Sequence, residues 1–219
     1  LSHILEDLRS GKVFPPLVHL TYVIEFQFRG LPHAHILLTF DRSLACLDLE
    51  EYIKAEIPDP DEDFELNQLV LKHHIHWKCG ASNPSAACMR ENKHGVKRCR
   101  FGFPKPFSPS TILLNETGRC LYKRTKKNKR FYAYDRGQLV EVTDRDVSPY
   151  VPYLLRKYQC HVNTEYVISE LAATYVCKYL IKDILYREAK VMVGNNELEA
   201  VSRARTLTSS ECAWKVLGF

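Results

Sequence analysis

No apolar run in this chain approaches the roughly 18 residues that a membrane helix needs, which excludes a spanning segment from the sequence reading. The sequence also has no glycine-rich nucleotide-binding loop, no internal repeat and no low-complexity tract. ATP-driven translocation and repeat architectures therefore drop out. No charged and apolar leader precedes the helical pattern that begins at Leu1. The expectation is a piece of a longer protein, nuclear or intracellular, with no secretory signal and no membrane partner.

What is present is the composition of a folded protein. The 219 residues are 45% hydrophobic and 26% charged, enough to bury a core and too apolar for disorder as the main state. Net charge is +5, but its distribution is uneven. Between Arg90 and Arg136 there are 14 Lys/Arg against 3 Asp/Glu, whereas Asp41 to Glu65 holds 10 acids against Arg42 and Lys54. The basic block suits a polyanion, with a pair of solvated loops as the plain alternative. Eight cysteines occur at irregular spacing, and Cys46, Cys160, Cys177 and Cys212 sit in apolar stretches, as buried thiols do in a reducing compartment.

Leu1, Ile4, Leu5 and Leu8 follow helical spacing up to Gly11. Val18 to Phe28 and His33 to Phe40 alternate as strands, with Arg29 to Pro32 as a tight hairpin turn between them. Directly paired residues share a face, so Phe28 opposite Pro32 or Ala34 keeps both apolar sets together. Either register puts Glu25 and Gln27 on the face of His33 and His35. Asp48 to Glu56 and Phe64 to His74 read as helices, Gly80 to Tyr134 as irregular, Gln159 to Ile168 as a strand, and Ser169 to about Arg187 as a long capped helix.

Four groups of residues carry chemistry. His33 and His35 flank one small residue on a strand, so both rings can share a cation, and Glu25 or Gln27 adds the oxygen that a hard divalent ion prefers. Tyr175 and Tyr179 stand four apart on a helix beside Lys178 and Lys182, an arrangement for phenol chemistry or for packing a core edge. Cys79, Cys88 and Cys99, with His76 just upstream, supply ligands for a structural zinc at a spacing that matches no standard finger; a set of buried thiols is the alternative. Arg98, Arg100, Lys105, Lys123, Arg124, Lys126 and Lys127, interleaved with Tyr122, Phe131 and Tyr132, suit phosphate contacts and base stacking.

The run Val23 to Leu38, with Gly30-Leu31-Pro32-His33-Ala34-His35 at its centre, together with the paired tyrosines, resembles the Rep nuclease domain of Helitron rolling-circle transposases. That domain is one of the HUH endonucleases, named for two histidines around a hydrophobic residue. The resemblance extends to Ala55-Glu56-Ile57-Pro58-Asp59, Arg100 to Phe107, Cys160 to Glu165, and Glu211-Cys212-Ala213-Trp214. It implies that His33 and His35 bind Mg²⁺ or Mn²⁺, with Gln27 or Glu25 as third ligand. It further implies that Tyr175 and Tyr179 attack single-stranded DNA to give a 5′-phosphotyrosine and a free 3′-hydroxyl, assisted by Lys178 and Lys182. A lysine common in the family before the first tyrosine is Thr174 here, and relatives carry a helicase further along the chain.

The expected architecture is α+β: an antiparallel sheet of the HUH palm type with flanking helices, in a single nuclease domain over residues 1–219 that contains a Cys/His-rich basic insertion at 73–136. The rival reading is a zinc-supported single-strand DNA-binding module without nuclease activity, and a zinc hydrolase that uses the histidines is a third.

Overall fold

The computed structural model describes residues 1–26, 32–40, 49–114 and 119–167. Tyr175, Lys178, Tyr179, Lys182 and Gln27 lie outside them, as do the expected helix from Ser169 and Cys46, Cys177 and Cys212. The described part is α+β, and the chain divides into two compact units.

In the first unit, helix α1 (Ser2–Arg9) buries Leu5 and Leu8 and ends where Ser10 donates from its backbone to Glu6 and Gly11 takes a left-handed φ of 74°. Strand β1 (His19–Phe26) pairs antiparallel with β2 (Pro32–Thr39), Phe26 opposite Pro32. This register differs from both expected ones by an even number of residues. The faces are therefore as expected, and the turn itself lies outside the described residues. Burial does not follow the apolar parity: Val23, on the histidine face, is buried and Tyr22 is exposed.

The second unit is organised by helices α2 (Leu49–Tyr52), α3 (Phe64–His73) and α4 (Pro152–Tyr158), and by the antiparallel pair β7 (Phe131–Asp135) and β8 (Gln138–Val142). Asp63 caps α3 by accepting from Leu66 N at 3.1 Å. Ile57, Leu66, Leu69, Val70, Phe131, Val142, Val147, Tyr150 and Leu155 form its core. The helix expected to reach Glu56 stops at Tyr52, because Lys54 exchanges both backbone hydrogen bonds with Tyr150 at 2.9 Å. The segment expected to be irregular holds two short ladders, β3 (Met89–Glu91) with β4 (Lys97–Cys99) and β5 (Ile112–Leu114) with β6 (Arg119–Leu121), and most of strand β7. The strand expected from Gln159 is an unladdered segment, held in part by Thr164 N donating to Pro149 O at 3.1 Å. Among the described residues the strands make four separate two-stranded sheets.

A buried ionic cluster holds this unit together. Arg124, 2% exposed, donates to the carbonyl oxygens of Asp144 at 3.1 Å, Val147 at 3.1 Å and Tyr122 at 3.4 Å. The Asp144 carboxylate accepts from Ile57 N at 2.8 Å and Thr125 N at 3.3 Å, with Lys127 Nζ at 3.7 Å. Burial pushes the Asp144 carboxyl up to about 6, outweighing the Ile57 N–H and the Lys127 ammonium, which favour the anion.

Two outcomes are expected. Arg124→Met leaves buried carbonyls without donors and costs about 3 kcal/mol in urea unfolding, whereas a loss under about 0.5 kcal/mol would contradict the role given to this side chain. Because the Asp144 carboxyl ionises less readily in the fold than its ordinary value of 3.8, its contribution is full below that pH and lost as pH rises through about 6. Stability measured across that window should therefore fall more steeply with pH in the natural chain than in Asp144→Asn.

Candidate functional site

Two groups of ligating side chains stand on the described residues. The first is at the end of the β1–β2 hairpin. Glu25 lies directly opposite His33 and Val23 opposite His35, so Glu25, His33 and His35 share one face. The two imidazole centroids are 4.7 Å apart, and His35 Nε2 is 3.2 Å from Glu25 Oε2. His33 is exposed and the His35 side chain is 11% exposed, so one ring faces solvent and the other is sheltered. Two imidazoles and one carboxylate thus share one face at the end of this strand pair. The structure brings Glu25 to the pair, while Gln27 lies outside the described residues.

The second group is closed. The ligand atoms of His76, Cys79, Cys88 and Cys99 all lie within 4.8 Å of one another, and Cys99 Sγ is 3.6 Å from His76 Nε2. With Zn–S bonds of about 2.3 Å, the edges of a tetrahedral site measure about 3.8 Å, so four such atoms need only a small contraction to hold zinc.

Local structure explains how four scattered residues meet. Cys88 immediately precedes β3, Cys99 closes β4, and Met89 pairs with Cys99. Asn92 closes the loop between these strands by accepting from the backbone N–H of His94 at 2.9 Å and Val96 at 3.0 Å, with Gly95 at φ 76°. After Cys99 the chain turns back: Gly102, at φ 70°, donates to Cys99 O at 3.0 Å. The His76 ring lies flat on Phe103 at 4.1 Å, and the His76 backbone donates to Asp146 O at 2.7 Å.

The four groups differ in how readily they lose a proton. Burial holds His76 below its ordinary value, keeping the imidazole neutral as a ligand must be. Burial and the neighbouring thiols push Cys79 up to about 12 and raise Cys88. Burial also acts to raise Cys99, but backbone N–H groups of Phe103 and Phe101 outweigh it and hold that thiol below its usual value. All five described cysteines are free thiols.

The cations assigned to DNA contact separate into two sets. Arg98 and Arg100 are exposed, with the Arg100 guanidinium 4.5 Å over the Phe101 ring. Lys105 donates to Phe101 O at 2.6 Å, and Lys126 is exposed. Arg124 is not available for phosphate, being buried on carbonyl oxygens. Lys127 donates to Ile57 O and lies near Asp144, and Lys123 meets Glu50 at 3.7 Å. Tyr122 and Phe131, expected to stack on bases, are buried, and the Tyr122 hydroxyl accepts from Tyr166 N at 2.6 Å. Tyr132 is exposed. Sequence reasoning missed the Arg124–Asp144 cluster, and nothing in spacing marks it.

Purified protein should carry close to one equivalent of zinc. Cys88→Ser and Cys99→Ser should each lower both the bound metal and the melting temperature. Zinc-free protein with an unchanged melting temperature in both variants would contradict a tetrahedral site.

No helix among the described residues is long and apolar enough to cross a membrane. No curated protein matches the chain. Residues 1–38 match the family model of the Helitron helicase-like domain at the N-terminus, a segment that includes α1, β1 and the histidine strand. The match links the chain to Helitron transposase-related function and to nucleic acid as its class of partner. The matched segment holds His33 and His35 and agrees with the Helitron resemblance read from the sequence, while Tyr175 and Tyr179 lie beyond it.

Proposed function

We propose that the chain is a metal-dependent nuclease that nicks single-stranded DNA and transfers the strand through a 5′-phosphotyrosine, as in rolling-circle transposition. The observation that carries this reading is the family match over residues 1–38, together with the two imidazoles it encloses, 4.7 Å apart and beside Glu25. In this reading residues 1–219 form one HUH-type nuclease, with 73–136 as its metal-held insertion.

His33, His35 and Glu25 would hold Mg²⁺ or Mn²⁺, whose charge would polarise the scissile phosphate. The Tyr175 phenol gives up its proton as its oxygen bonds to phosphorus, the bond from phosphorus to the 3′ oxygen breaks, and the departing oxygen takes up one proton to become a free 3′-hydroxyl. The phosphodiester is retained as a tyrosine ester, so a later 3′-hydroxyl can reverse the step without ATP. Tyr179 serves a second transfer. Lys178 and Lys182 support the phenolate and the phosphate by charge.

The test is incubation with end-labelled single-stranded DNA and Mn²⁺, followed by denaturing electrophoresis. A covalent protein–DNA adduct is expected in the natural chain, absent in Tyr175→Phe combined with Tyr179→Phe, and reduced at least about a hundredfold in His33→Ala combined with His35→Ala. Salt-sensitive binding with no adduct under any metal would instead favour a DNA-binding module supported by the Cys/His cluster. Cleavage that survives loss of both tyrosines would favour a hydrolase.

A further inference from the structure

The acidic segment of the sequence determines which cations remain available to a ligand. In the tract Lys123–Arg130, Lys123 meets Glu50, Lys127 meets Asp144, and Arg130 approaches Glu141. Lys129 bridges Asp59 at 2.6 Å and Asp61 at 2.7 Å, and Arg124 is buried. Among the described residues, Lys126 and the buried Arg124 are the cations of that tract without an ion pair, and of the two only Lys126 is exposed.

The metal-held hairpin differs. From Arg90 to Lys105 the sequence has six Lys/Arg and a single acid, Glu91. Lys93, Lys97, Arg98 and Arg100 are exposed and make no ion pair among the described residues. Arg90 and Arg98 stand directly opposite each other in a ladder of only three pairs, an arrangement of like charge that weakens so short a hairpin. Cys88 and Cys99 stand at the base of the two strands, where Arg100 N donates to Cys88 O at 2.9 Å. Beside them Phe101 is 49% exposed with the Arg100 guanidinium over its ring, a surface on which an unpaired base can stack.

We propose that this β3–β4 face is where single-stranded nucleic acid binds: Arg90 and Arg98 hold the phosphates, Lys93 and Lys97 extend the positive edge, and Arg100 with Phe101 takes a base. The metal at His76, Cys79, Cys88 and Cys99 keeps the hairpin in the form that presents this face. The choice of a single strand as the polyanion rests on the function proposed above.

The experiment uses the zinc-loaded full chain and a fluorescent oligothymidylate, without Mg²⁺ or Mn²⁺, titrated over a range of salt. Arg90→Ala combined with Arg98→Ala should weaken binding about tenfold and make the salt dependence shallower by about 1.4 in log–log slope, two phosphates at about 0.7 each. Zinc content should stay unchanged. Arg90→Lys combined with Arg98→Lys should restore most of the slope, and Lys129→Ala should leave it as it is. An unchanged slope in the alanine variant with zinc retained would overturn the proposal, as would an equal loss in Lys129→Ala or equal affinity for a duplex. Failure to form the covalent adduct, with these slope differences intact, would count against the nuclease reading and leave the binding face standing.

Discussion

A guanidinium and a carboxylate, both sealed from water, hold the second unit in one piece. Arg124 and Asp144 do not neutralise each other by a direct bond. Each instead satisfies backbone groups of segments far apart in the chain: Arg124 the carbonyls at 122, 144 and 147, Asp144 the N–H groups at 57 and 125. Buried charge is costly on its own, and here that cost is offset by giving partners to backbone groups that would otherwise lie unpaired. The Lys54–Tyr150 bridge, the Tyr150 hydroxyl on Glu56 O and the bond from Thr125 to Glu56 all sit around this cluster. Shortening α2 at Tyr52 is one result, since the residues after it are drawn into extended pairing.

Charge in this protein is partitioned. The acidic segment and the basic block, conspicuous as opposites in the sequence, pair with one another where Lys123 and Lys129 reach Glu50, Asp59 and Asp61. Exposed pairs of this kind contribute little to stability, but they remove those lysines from competition for a polyanion. The unpaired positive charge is left on a hairpin whose own strands are too short to hold it.

Much of this was legible in the sequence, for physical reasons. Parity along β1 and β2 fixed which residues share a face, because side chains alternate whatever the register, so Glu25 falls beside His33 and His35 even though the register differs by two or four residues. The ligand group His76, Cys79, Cys88 and Cys99 was readable from residue chemistry alone, since soft ligands close in sequence seldom have another use. The ladders inside the basic segment were not readable: three-residue strands carry no periodicity to detect. Helix α4 did leave a signal, Pro152 at the first turn ahead of Leu154 and Leu155, which the alternation expected further on obscured. Of the cations assigned to DNA, Arg124 is buried on carbonyl oxygens and Lys123 and Lys127 each have a carboxylate near them, because sequence shows a charge without showing its partner.

The pairing of Met89 with Cys99 has a consequence for assembly. Side chains along a strand change face at every residue, so sliding β4 by one position against β3 would move Cys99 from the face it shares with Met89 to that of Arg90, out of its place 3.6 Å from His76 Nε2. A hairpin slipped by one residue would therefore lack one of the four ligand atoms that the aligned hairpin brings together. A metal held by all four would favour the aligned strands over the slipped ones.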